Sequence, residues 1–212
     1  MGLPMRRFRA VFALISTLLL AGECSAHSSR AASPGDGGLR FPSATHGELL
    51  VLSAYRGEIV ALANSVTATD PDFRRLKNYA AIEFSYCGWG LAPSALTDEE
   101  SPFNECSHAY LSAEKALLIH MRGMPAVAER ASALISRIDT AMVREGASFV
   151  GCQYSGEDFS TASFITPHWE LLFSHPPSAA GAGGVIAGGA ALAAACLLPW
   201  RRRRREPLLH EE

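Results

Sequence analysis

Residues 45–66 read THGELLVLSAYRGEIVALANSV. Thr45 and Glu48 have the spacing of a capping box, in which each side chain bonds the other residue's amide at a helix start. Behind them Leu52, Tyr55, Ile59, Leu62 and Val66 recur at alternating steps of three and four, which marks one face of an α-helix. Residues 70–88, DPDFRRLKNYAAIEFSYCG, repeat the pattern. Asp70 caps, Pro71 occupies the first turn, Phe73, Leu76, Ala80, Phe84 and Cys87 form the stripe, and Gly88 stops it. Ser101-Pro102 opens a third helix, with Phe103, Cys106, Tyr110, Leu117 and Met121 on its buried side and Gly123 at its end. Pro125 opens a fourth, carrying Val127, Ala131, Leu134, Ile138 and Met142 up to Gly146. The spacing predicts helices over 47–67, 71–87, 102–122 and 125–145. Joined by short loops, they point to a mainly α fold, an antiparallel bundle of about four helices over 46–146.

Outside those limits the periodicity fades. Residues 27–45 are rich in Ser, Gly, Pro and Ala and read as a flexible leader. Residues 147–178 read as an irregular juxtamembrane segment, in which Ser148–Tyr154 alternates weakly like a short strand and Thr166-Pro167 suits one more helical turn.

Both ends address a membrane. Arg6, Arg7 and Arg9 precede an apolar run from Ala10 to Gly22, and Cys24 and Ala26 are small residues at cleavage-site spacing. Residues 1–26 therefore read as a signal peptide to be cleaved, since the run is short for a bilayer span. Cys24 follows Leu20-Ala21-Gly22 almost as in a bacterial lipobox, but Glu23 breaks that pattern. Residues 179–200 carry no charge, and as a helix they would reach about 33 Å, enough to cross the hydrocarbon core. Arg201, Arg202, Arg203, Arg204 and Arg205 follow as a stop-transfer signal, leaving 201–212 as a cytoplasmic tail. The expected topology is type I single-pass, with the main domain periplasmic, extracellular or lumenal. A processed sorting signal is the alternative for this end. Gly184 and Gly188 give the span a small-residue face suited to packing against a second copy.

The chain has 212 residues, 48% of them apolar and 19% charged, which excludes a disordered tail or a collagen-like fibre. Its formal net charge of −2 is unevenly spread, because residues 27–178 are acidic while both ends are basic. An acidic exported section argues against nucleic acid as a partner. Cys87 and Cys106 fall at neighbouring ends of two helices, where a disulfide is plausible after export. Cys152 is left over and could link two chains.

Candidate chemistry is sparse. Tyr86–Gly90 with Cys106–Tyr110 resembles the calcium loop and catalytic-histidine helix of secreted calcium-dependent phospholipases, over 86–110 only. It departs from that family because Ala109 stands where the family has an aspartate and a single cysteine precedes His108. Glu105 and His108 have the i, i+3 spacing used by carboxylate-bridged metal bundles and are the candidate metal ligands. The exported section holds no second Glu-x-x-His, and the helix dipole alone favours a carboxylate at Glu105. His168 and His175, beside Trp169 and Phe173, read as membrane-interface side chains, and Asp98-Glu99-Glu100 as a solvated loop. No catalytic constellation and no cofactor motif emerges. The expectation is a membrane-anchored binding module for a protein partner. The alternatives are an exported metal-binding protein or hydrolase centred on Glu105, His108 and the Cys87–Cys106 loop, and an envelope assembly protein.

Overall fold

Thr45 and Glu48 close the capping box reciprocally. Thr45 Oγ1 accepts from the Glu48 amide at 3.3 Å, and Glu48 Oε2 accepts from the Thr45 amide at 2.9 Å. The helix they start, α1, runs His46–Asn64. The computed structural model describes residues 37–90, 95–145 and 157–203. Four further helices follow among them: α2 (Pro71–Tyr86), α3 (Asn104–Arg122), α4 (Ala128–Glu145) and α5 (Pro176–Arg203). The chain is mainly helical, as the three-and-four spacing implies.

Asp70 Oδ1 accepts from the Phe73 amide at 2.8 Å, and Pro71 fills the first helical position of α2. Gly88, just past the end of α2, has φ +66°, a conformation that costs glycine little because it has no Cβ. Two helices start later than their prolines suggest. The Asn104 amide donates to Ser101 O at 3.0 Å, so residues 101–103 form a separate turn ahead of α3. The Val127 and Ala128 amides both donate to Met124 O, and that tight turn delays α4 to Ala128.

α3 is the central element, packed against α1, α2 and α4. The disulfide Cys87–Cys106 ties the end of α2 to the first turn of α3. At the other end of the pair Asp70 Oδ2 lies 2.9 Å from His120 Nε2, so α2 and α3 run antiparallel. The expected faces point inward. Leu52, Ile59, Leu62, Phe73, Leu76, Ala80, Leu117, Met121, Ala131, Leu134 and Ile138 are all buried. α3 is buried on further sides too, with Ala109, Leu111, Ala113 and Leu118 in the core, because three helices surround it.

The strands are a finding that three-residue elements hid. Arg40–Pro42 (β1) pairs antiparallel with Asp158–Ser160 (β2), with Phe41 opposite Phe159. Phe41 is buried and packs edge-on against Tyr79 at 5.6 Å. Part of the stretch read as a flexible leader is therefore a strand. The expected strand at 148–154 lies outside the described residues, as do the signal segment, Cys24 and Cys152.

α5 begins at Pro176, before the first residue of the apolar run at 179. Pro176–Ala195 is long and apolar enough to cross a membrane, and only 6% of its apolar window is buried within the chain.

Candidate functional site

Glu105 sits in the first turn of α3, where the helix dipole favours a carboxylate. Its Oε2 lies 3.2 Å from His168 Nε2. His108, one turn further on, is fully buried and has other company. Its Nδ1 is 3.2 Å from Ser43 Oγ, and its ring lies 5.0 Å from that of His46. Burial, with His46 beside it, pushes the His108 imidazole down to about 4, against a hydrogen bond to the Ala44 backbone. The ring is therefore neutral at pH 7. Glu105 and His108 thus meet different partners. Among the described residues no three His, Cys, Asp or Glu side chains are grouped as a metal ion would require.

Two buried carboxylates carry the other strong electrostatics. Glu83 in α2 has no exposure, and its Oε1 accepts from the Ile165 amide at 2.7 Å. Phe164, next to Ile165, stacks on Tyr79 with ring centroids 5.6 Å apart. Burial pushes the Glu83 carboxyl up to about 7; the Ile165 hydrogen bond and the nearby Tyr79 hydroxyl oppose this and the Glu105 charge adds to it. Glu114 in α3 is 1% exposed and faces Arg56 Nε at 2.9 Å. The Arg56 guanidinium lies 3.4 Å over the Phe84 ring. Burial pushes Glu114 up to about 8 in spite of Arg56. Neither Glu83 nor Glu114 stands out in the sequence as a candidate site residue. The signal was present: position 83 continues the stripe through 76, 80 and 87, and position 114 that through 110, 117 and 121. An acid in such a register lies on the face that the helix turns to its neighbours.

No protein-family model, curated protein or solved structure matches the chain. The functional reading therefore rests on its own residues.

The segment before α5 departs most from its sequence reading. His168 has Glu105 at one ring nitrogen and Glu170 Oε1, at 3.2 Å, at the other. His175 is buried, with Nε2 2.8 Å from Asp98 Oδ2 and Nδ1 2.7 Å from Ser178 Oγ. The hydrogen bond from His175 holds Asp98 below the usual carboxylate range. Both histidines thus turn to the domain, and Asp98 belongs to a contact rather than to a merely solvated loop. The remaining marked residues are simply placed. Cys87 and Cys106 are bridged with Cα atoms 5.7 Å apart. A Cβ added at Gly184 or Gly188 of α5 would meet nothing within 4 Å. Arg201, Arg202 and Arg203 end α5, while Arg204 and Arg205 lie outside the described residues.

Proposed function

We propose that this chain is a type I single-pass membrane protein whose domain acts outside the cytoplasm by binding a protein partner, not by catalysis. The observation that carries the anchoring is α5, an apolar helix left almost wholly uncovered by the rest of the chain. The basic, then apolar start supports export, and Arg201–Arg205 support a cytoplasmic tail. The Cys87–Cys106 bridge fits an oxidising compartment. Binding is supported by where the prominent polar groups lie, enclosed in the domain or paired at its surface. Glu105 faces His168, His108 is sealed in the core, and Glu83 and Glu114 hold packing contacts. A shallow, open face along α4, with Ile135, Asp139, Val143 and Arg144, offers a mixed apolar and charged surface to a partner. A second copy, met through Gly184 and Gly188 or through Cys152, belongs to the same reading.

A reporter fused after Glu212 is expected in the cytoplasm, and one inserted in residues 28–36 on the outside. Protease added to sealed cells should remove the domain and spare the tail, because moving five arginines through the bilayer is prohibitively costly. A tail cut from outside would sink the topology. Stoichiometric iron, zinc, copper or calcium on the purified chain, lost on His108→Ala, would replace the binding reading with a metal-dependent one.

A further inference from the structure

The structure assigns the stretch Trp169–Phe173 a partner: we propose that it lies in the headgroup layer of the bilayer, so that the domain rests on the membrane surface rather than standing off on a free stalk. This rests on the reading of α5 as the membrane span.

Length comes first. α5 has 28 residues, about 42 Å of helix, which matches the full bilayer thickness of about 40–45 Å with both headgroup layers included. With the arginines at its end in one headgroup layer, Pro176 falls in the opposite one. Phe173 is three positions away, which leaves no length for a stalk.

The segment is also two-sided. His168, Leu172 and His175 turn inward, the histidines onto Glu105 and Asp98 and Leu172 against the core. The His168 amide donates to Pro102 O at 2.9 Å, and Ser178 in the first turn of α5 is buried. The start of the span is thereby locked to the domain. Outward stand Trp169 at 53% exposure, Leu171 at 42% and Phe173 at 77%. Three large apolar side chains within five residues make a poor water-facing surface. Trp169 is not loose either, since its ring packs edge-on against Phe103 at 5.6 Å.

The chemistry of the face selects lipid. Indole and phenyl rings favour the headgroup level, where one edge is wet and the other apolar. Residues 157–178 contain no lysine or arginine, and Glu105, Glu170 and Asp98 lie beside the patch. The contact is therefore apolar, needs no anionic lipid and is insensitive to salt.

The test uses the full chain reconstituted in phosphatidylcholine vesicles. Trp169 is read in the Trp89→Phe/Trp200→Phe variant, and Trp200 in the Trp89→Phe/Trp169→Phe variant. Should Trp89→Phe disturb folding, the difference between wild type and Trp169→Phe, a change at an exposed position, gives the same reading. We expect Trp169 emission to be blue-shifted and lost to phospholipids brominated high on the acyl chain more than to those brominated low. Leu171→Ser/Phe173→Ser should reverse much of that loss. Emission at the water value with no loss to bromolipid would overturn the proposal, and a blue shift without such loss would mean that protein covers the face. Trp200 separates the two failures. Loss of its emission to bromolipid while Trp169 stays wet leaves the span and removes the docking; no loss at either position removes the span itself.

Discussion

Cys87→Ser is expected to lower the melting temperature of the chain in mild detergent by about 10–20 °C. The bridge closes a loop of 19 positions, and in the chain-entropy model such a closure stabilises by about 3 kcal/mol. That is a large share of the roughly 5–15 kcal/mol by which domains of this size are stable. Both cysteines are buried where α2 ends and α3 begins, next to Phe103 O and Ser107 Oγ. The loop also carries Asp98, which holds His175 at the base of α5. Cys106→Ser should match Cys87→Ser, and the double change should be no worse than either, because one bond is lost in every case. Additive losses in the double variant, or a fall of a degree or two in the singles, would show that the bridge does not stabilise the fold.

The second large effect depends on pH. Burial holds the Glu83 carboxyl up at about 7, against an ordinary value of 4.5. Between those values the folded chain keeps a proton that the unfolded chain has released. Stability from this group is therefore complete below about pH 4.5 and is lost as pH rises to about 7. The loss amounts to about 3 kcal/mol. Glu114, pushed up to about 8, acts in the same direction. His108, pushed down to about 4 from 6.5, acts in the opposite one, adding stability as pH rises between those two values. Glu83→Gln isolates the first contribution. The amide oxygen still accepts from Ile165 and cannot ionise. Urea denaturation at pH 5 and pH 8 should show the variant gaining on the wild type by about 2–3 kcal/mol between the two. An unchanged difference would mean that Glu83 ionises in the folded chain at no cost.

The helices were legible because their causes are local. A capping box at Thr45 and Glu48, a cap and proline at Asp70-Pro71, and stripes at three-and-four spacing act within one or two turns, since each helical amide bonds a carbonyl four residues back. Composition marked the uncharged apolar helix in the same way, and consecutive helix ends brought Cys87 to Cys106. Nothing local announces that Arg40–Pro42 pairs with Asp158–Ser160, since three residues hold too little alternation to read and the partners are far apart in the chain. The partners of His168 and His175 were equally hidden. An imidazole beside aromatic residues suits a membrane interface as well as a carboxylate, and only the return of the chain onto the start of α3 and its preceding loop brings Glu105 and Asp98 within reach. Glu83 and Glu114 lie between these cases: their register was readable, but that their faces are covered depends on what packs against them. Sequence by itself determined the helices, whose hydrogen bonds close within a few residues. Tertiary structure alone decided the polar pairings, because no fixed spacing encodes which distant side chains a folded chain brings together.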